Sequence, residues 1–341
     1  TDGRGTARVV LVTRRVARRD QLRASFGPSV QVLLDEAPLP DDVSVVVVAR
    51  EPDEQPETVR RHLREGRHVV STADDPEVVA DLLSLDAEAR SRGRTVLVGA
   101  AMSPGLSCLL ARHGAAELDR VDEVHVARHG AAGPACARQR LRALRGSGDD
   151  WRDGEWVRRP GFSGRELCWF PDPVSAKDCY RGALSEPALL VPAFPGVRRV
   201  TARLAASRRD RALAPFPVLV PPPTEGGLGA IRVELRGELR GERTSVVLGA
   251  LDRPAVAAAG VAAVAALGIE SVDLLPAGAT PGAYGLASVG DPLPLLRELA
   301  RRGVRAARFE GAGAPSDDVA GENTTESVQF RGPTAEGSHE E

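Results

Sequence analysis

Apolar residues in the first hundred positions fall in short blocks separated by helical stripes. Residues 7–13 (Ala-Arg-Val-Val-Leu-Val-Thr) and 43–49 (Val-Ser-Val-Val-Val-Val-Ala) have the length and β-branched content of buried strands, and runs at 30–34, 68–71 and 95–98 predict three more. Between them, residues 18–26, 54–65 and 75–92 read as helices closed by Gly27, Gly66 and Gly93. In the last of these, Val78, Val79, Leu82, Leu83 and Leu85 form one apolar stripe. Strand alternating with helix predicts a doubly wound α/β domain with a parallel sheet. Ser103-Pro104-Gly105-Leu106 opens a further helix, with Ser103 as N-cap and Pro104 at the first helical position. Its apolar face runs through Leu106, Leu109, Leu110 and Leu118.

Beyond that helix the pattern changes. Residues 121–128 read as a strand, 136–144 as a helix, and 198–206 alternate like a half-exposed strand. Residues 228–238 and 243–251 flank Leu239-Arg240-Gly241-Glu242 and predict an antiparallel hairpin. A helix rich in Ala and Val follows at 255–267, ended by Gly268, and an amphipathic helix at 292–302 leads to a strand at 304–309 that is expected to return to the first domain. The Pro-rich stretch 216–223 is expected to be an extended loop lining a cleft. Residues 311–341, rich in Gly, Ala, Ser and acids, are expected to be disordered.

A chain of 341 residues exceeds what one core usually serves, so two domains are expected. Aromatic residues make up only 4% of it, leaving Val, Leu and Ala to build the interior. The 45 basic and 47 acidic residues are interspersed and leave a net charge of −2, which gives no footprint for nucleic acid or an anionic membrane. The apolar runs are far shorter than the roughly 20 residues that cross a bilayer. Cys108, Cys136, Cys168 and Cys179 lack CxxC or Cys/His spacing, which argues against a disulfide framework and against a metal site. With a start unlike a signal peptide, reduced thiols in the cytoplasm are expected. Lys177 is the only lysine, so an arginine in this chain carries little weight by itself.

A dinucleotide-binding domain presents GxGxxG after its first strand, because glycines allow the tight turn and let backbone N–H groups reach the pyrophosphate. No such turn follows residues 7–13. Gly3 and Gly5 precede that strand, Gly226, Gly227 and Gly229 lie in the second domain, and Gly311 and Gly313 lie in the tail. Either the site has decayed or the sequence starts after it; the opening Thr1 and the polar, glycine-rich residues 1–5 favour the second reading. Residues 8–13 are then the second strand, and Thr13-Arg14-Arg15 stands where the adenosine ribose is read. An acid there suits NAD, whereas a guanidinium pairs with a 2′-phosphate. NADP is therefore the implied cofactor, with NAD as the alternative; the plainer reading makes Arg14 and Arg15 two surface arginines. The expected fold class is α/β. An N-terminally incomplete Rossmann-like domain covers 1–103 plus 286–310, an α+β domain with an antiparallel sheet covers 104–285, and the tail covers 311–341.

The run from Val96 to Ser107 (Val-Leu-Val-Gly-Ala-Ala-Met-Ser-Pro-Gly-Leu-Ser) resembles the segment that joins the two domains in the saccharopine dehydrogenase-like family. Residues 166–180 and 292–311, the latter with its Arg-Gly-Val-Arg-Ala ending, agree with it, and the likeness spans about residues 7–311. The resemblance implies a Rossmann domain, a second domain carrying most of the substrate site, and hydride transfer with a nicotinamide cofactor between them. In that family the reacting carbon is often bonded to an amine, and the likeness also implies a homodimer through the sheet of the second domain. The missing glycine turn departs from the family pattern and predicts weak or absent NADP binding by these 341 residues.

Candidate site residues follow from these placements. Gly99, Ala100, Ala101, Ser103, Pro104 and Gly105 link a strand's carboxyl end to a helix, where an open sheet binds its ligand and a helix dipole holds a carboxylate or carboxamide. Ser103 itself reads as a cap, so its backbone matters more than its hydroxyl. Ala49, Arg50 and Glu51 mark a second such strand end, with Arg50 set either on cofactor phosphate or in solvent. Lys177, Asp178 and Tyr180 offer proton donors and acceptors within four residues, and Lys177 and Tyr180 are the catalytic candidates, against a reading of Lys177 as a solvated charge. His125 and His129 do not suit a shared metal, and at most one of them is expected to face the cleft. Trp169 and Phe170 make either a substrate wall or core anchors. A rival class is a binding or scaffold protein that keeps the two-domain shell without catalysis.

Overall fold

The structure is a computed structural model that describes residues 8–208, 210, 226–275, 279–309 and 325–327. Two compact units divide the chain at residues 44/45. In the first, β1 (Val10–Thr13) pairs in parallel with β2 (Gln31–Leu34), Thr13 lying opposite Leu34. They are joined by α1 (Val16–Phe26), which stops at Gly27 with φ +64°. Arg23 of α1 donates to the Val32 carbonyl at 3.0 Å and ties the helix to the sheet.

The second unit starts with the βα alternation the sequence predicts. β3 (Val45–Val48), β4 (His68–Ser71) and β5 (Thr95–Val98) are parallel neighbours, with α2 (Gln55–Arg64), α3 (Pro76–Leu83) and α4 (Asp86–Ser91) between them. The single helix expected over 75–92 is broken near Ser84 and Leu85, although Asp75 caps its start by accepting from the Glu77 and Val78 amides. Next, α5 (Leu106–Ala115) is almost wholly buried and carries the core from one sheet to the other. Gly114 permits this: a Cβ there would stand 2.7 Å from Leu235 Cδ1.

A mixed sheet follows. It contains β6 (Arg120–His129), β7 (Gly148–Arg152), β8 (Glu155–Arg159), β9 (Glu166–Trp169), β10 (Ala176–Tyr180), β11 (Arg199–Ala205), β12 (Gly229–Leu239) and β13 (Glu242–Asp252). Two helices pack beside it, α6 (Pro134–Arg145) and the short α7 (Glu186–Leu190). α8 (Pro254–Glu270), β14 (Gly282–Gly285), α9 (Leu293–Arg301), β15 (Arg305–Phe309) and β16 (Thr325–Ser327) complete the described chain.

Several expectations are corrected here. The strand that returns to the parallel sheet is β14, alongside β5, whereas β15 pairs antiparallel with β13. β14 is short and glycine-bounded, and Gly285 is needed because a Cβ would lie 2.9 Å from Leu189 Cδ2. The sheet of residues 104–285 is mixed rather than antiparallel, since β11 runs parallel to β6. β11 is also buried on both faces: Thr201 and Arg203 alternate as polar residues do, yet both find partners within the sheet. The β7–β8 hairpin escaped notice despite its Asp153-Gly154 turn, where both residues have positive φ as a two-residue hairpin requires. Within the tail expected to be disordered, residues 325–327 pair with β15; the rest of 311–341, and the loop expected at 216–223, lie outside the described residues.

Candidate functional site

In the first unit, Thr13, Arg14, Arg15, Ala17, Arg18 and Gln21 line an open concavity of about 480 Å³ at the carboxyl end of β1. The chain turns here into α1, and the Arg15 amide donates to the Thr13 hydroxyl at 3.4 Å. No acidic residue is among those lining residues. Thr13, Arg14 and Arg15 thus come together in a surface suited to an anion, by charge and by fork-shaped donors.

In the second unit, the carboxyl ends of β3, β4 and β5 are laced together by two buried residues that the sequence reading missed. Gln55 donates to the Arg50 carbonyl (3.0 Å) and accepts from the Ser71 hydroxyl (2.7 Å), which in turn accepts from the Ala73 amide (3.1 Å). The Ala100 amide donates to the Ser71 carbonyl (2.8 Å), and the Thr72 amide to the Val48 carbonyl (3.1 Å). The connection after Val48, which carries Ala49 and Arg50, is thereby fixed against the loop of residues 99–105.

That loop is a closed turn. The Ala101 amide donates to the carbonyls of Gly99 and Pro104, both at 3.0 Å, and the Leu106 amide returns to the Ala101 carbonyl at 2.9 Å. Gly99 and Gly105 have φ of +75° and +121°, and a Cβ on Gly105 would stand 2.1 Å from the Ala101 carbonyl oxygen. Ser103 is not the helix cap: α5 begins at Leu106, Gly105 holds the cap position, and no side chain caps it. The Ser103 hydroxyl donates instead to Glu186 Oε1.

Around Ser103 lies a polar cluster that the sequence reading did not find. Arg128 Nη1, at the end of β6, donates to the Ser103 carbonyl (2.7 Å) and to Asp74 Oδ2 (3.3 Å). Gln139 of α6 donates to Asp74 Oδ1 (2.7 Å), and the Ser185 hydroxyl to the Asp74 carbonyl (3.1 Å). Burial works against the Arg128 charge, but the attraction of Glu186 and then Asp74 leaves its pKa above the ordinary arginine value. Glu186 is 1% exposed, and its Oε2 has no hydrogen-bond partner among the described residues. One signal was available: Asp74-Asp75 precedes α3, and one aspartate suffices to cap a helix. Arg128→Met leaves the buried Glu186 and the half-buried Asp74 without the guanidinium between them and is expected to cost about 3 kcal/mol, read from the urea unfolding midpoint.

The catalytic candidates do not converge. Strand alternation puts Lys177 with Cys179 on one face of β10, and Asp178 with Tyr180 on the other. Tyr180 is 4% exposed and packs edge-on against Phe162, ring centroids 6.0 Å apart, while Asp178 pairs with Arg165 at 3.0 Å. Lys177 shares its side of the sheet with His129, whose pKa is lowered by burial and then by the charges of Lys177 and Arg140. Trp169 and Phe170 also part: Phe170 is a core anchor beside the His129 ring, and Trp169 is 46% exposed.

His125 and His129 lie on the same face of β6, in the stretch from Glu123 to His129 that stays in register with β12. Four residues of strand separate them by about 13 Å, which rules out one shared metal. Among the described residues no group of three or more His, Cys, Asp or Glu could hold a metal ion. His125 is engaged by Glu123 and Thr201, both at 2.8 Å, and its hydrogen bond draws the Glu123 carboxyl down to about 2, against burial. A depressed carboxylate stabilises the fold above its ordinary value of 4.5 and loses that contribution as pH falls toward 2. Glu123→Gln is expected to flatten the fall of unfolding free energy across this acid range; an unchanged slope contradicts it.

The fold is that of a solved dehydrogenase. Saccharopine dehydrogenase (L-Glu forming) from Saccharomyces cerevisiae superposes with a TM-score of 0.63 at 14% identity, over 89% of this chain and 95% of that one. Looser matches include the amine dehydrogenase of Mycobacterium smegmatis (TM-score 0.44, 14% identity, 83% of this chain and 88% of that one). The DAP dehydrogenase of C. glutamicum is another (TM-score 0.39, 15% identity, 87% and 98%). No family model matches the sequence, and no curated protein does. Parallel strands with helices followed by a mixed sheet correspond to a Rossmann domain and a second domain. No helix among the described residues is long and apolar enough to cross a membrane.

Proposed function

We propose that the chain is an NADP-dependent oxidoreductase of the saccharopine dehydrogenase-like kind, acting on a small polar, amino-acid-derived substrate in the cytoplasm. The observation that carries this reading is the concavity at the end of β1, lined by Thr13, Arg14, Arg15 and Arg18 without a carboxylate. An adenosine 2′-phosphate fits such a surface, and the ribose hydroxyls of NAD find no acceptor carboxylate there. Bound NADP would supply the hydride chemistry.

Strand pairing supports the same reading. Within each unit taken by itself, the strands are parallel neighbours joined by helices, as in a doubly wound sheet. The strand bearing the glycine turn has no counterpart among the described ones. The closed loop of residues 99–105 presents backbone groups to the nicotinamide, with Ala49 and Arg50 on the neighbouring strand end. Lys177, on the His129 side of its sheet, is the candidate proton donor, and Tyr180 the second candidate. The homodimer and the domain borders at 103/104 and 285/286 belong to this proposal. The solved saccharopine dehydrogenase (L-Glu forming) supports it through its fold. The rival reading is a non-catalytic binding or scaffold protein that keeps the two-domain shell. Isotope-edited NMR titration, which reads weak binding, tests the proposal: amide shifts near Thr13 that depend on the 2′-phosphate support the enzyme, and equal responses to NADP and NAD contradict it.

A further inference from the structure

Cys168 and Cys179 carry no pairing signature in the sequence, yet the mixed sheet brings them together. In the antiparallel ladder of β9 and β10, Lys177 lies opposite Cys168 and Glu166 opposite Cys179. The two cysteines are therefore diagonal neighbours on one face of the sheet. Both are buried in one small apolar cluster with Ala127, Phe170, Ala205 and Ala230. Both are free thiols on neighbouring strands. We propose that Cys168 and Cys179 form a reversible dithiol–disulfide pair that locks β9 to β10 when a hydroperoxide is present.

The two sulfurs have different parts to play. Cys168 is 5% exposed and Cys179 fully covered, so the oxidant meets Cys168 first. The neighbouring Cys179 thiol favours the thiolate at Cys168, outweighing burial and helped by Arg232 and Arg203; Cys168 and burial push the Cys179 thiol up. The Cys168 thiolate attacks one peroxide oxygen, the O–O bond breaks, and the departing hydroxide takes a proton to become water. Cys168 is left as a sulfenic acid. The Cys179 sulfur then attacks it, the S–O bond breaks, and hydroxide leaves as a second water with the Cys179 proton. Two thiols are oxidised by two electrons, and the hydroperoxide is reduced. Diagonal Cα atoms lie about 7–8 Å apart, beyond the usual disulfide span, so the bridge needs the backbone of β9 to move inward. β9 has four residues and a single neighbouring strand, so it can close that gap. Cys108, by contrast, is fully buried and pushed up to about 12, which keeps it inert.

The test uses the full chain, treated with hydrogen peroxide, blocked with N-ethylmaleimide and digested with trypsin without reductant. Cleavage after Arg165, Lys177 and Arg181 puts the two cysteines on separate peptides. The expected product is peptide 166–177 joined to peptide 178–181, lighter by two hydrogens and separated by dithiothreitol, with the thiol count down by two from four. Cys168→Ser and Cys179→Ala each abolish it, and Cys108→Ala with Cys136→Ser retains it. Sulfinic acid at Cys168 without a cross-link, a bridge to Cys108 or Cys136, or four unreacted thiols overturns the proposal. The wild-type peptide map decides even if a variant fails to fold.

Discussion

Gly105→Ala is expected to lower stability by more than about 4 kcal/mol, well outside the common range for single substitutions. Two causes add. The new Cβ would stand 2.1 Å from the Ala101 oxygen, 2.4 Å from the Ala101 nitrogen and 2.8 Å from the Gly99 oxygen. All three are backbone atoms of a turn whose hydrogen bonds fix them, so no side chain can swing aside. In addition, φ at Gly105 is +121°, where an L side chain is strained in any surroundings. Gly66→Ala separates the two causes: φ there is +76°, and nothing lies within 4 Å of its Cβ. That substitution is expected to cost about 1–2 kcal/mol, the strain of the left-handed conformation alone. Urea unfolding of both variants is the measurement, and equal costs would show that the closed turn of residues 99–105 yields easily.

Exchanging Arg14 and Arg15 together for alanine is expected to abolish discrimination between NADP and NAD. A charge-assisted hydrogen bond contributes about 1.5–3 kcal/mol, and surface exposure favours the lower figure, so each arginine should be worth about tenfold in affinity for the 2′-phosphate. NADP itself is expected to bind the 341 residues with a dissociation constant above about 100 μM, since no glycine turn cradles its pyrophosphate. Isotope-edited NMR titration reads both numbers, because amide shifts near Thr13 follow weak binding. Low-micromolar binding of NADP contradicts the missing turn. Equal affinity for both nucleotides in the unaltered chain removes the role given to the arginines.

Where local pattern and tertiary environment agreed, the fold was legible. The apolar runs Val45–Val48 and Thr95–Val98 read as strands and are strands, and Gly27, Gly66 and Gly93 closed helices where their positive φ is used. β14 was hidden because Gly-Ala-Tyr-Gly has neither length nor alternation, and its pairing partner lies far back in the chain. Ser103 misled for a related reason: Ser-Pro before an apolar run is a cap pattern, but Glu186, 83 residues onward, takes the hydroxyl. The Arg128 cluster was likewise invisible, because Asp74, Gln139 and Glu186 meet only once the sheets are packed. Arg14 and Arg15 line one concavity because they adjoin in sequence at a single strand end. The opposite sides of Lys177 and Tyr180 follow from strand alternation alone.

The return of β14 to β5 has a kinetic price. The Thr95 hydroxyl is held by the Thr280 carbonyl, 185 residues further along, so a ribosome must release most of the polypeptide before that flank of the sheet can close. Until then β5 offers a bare row of backbone donors and acceptors, open to a neighbouring nascent copy. Fragments ending before Gly282 should therefore need chaperones far more than the full-length chain does.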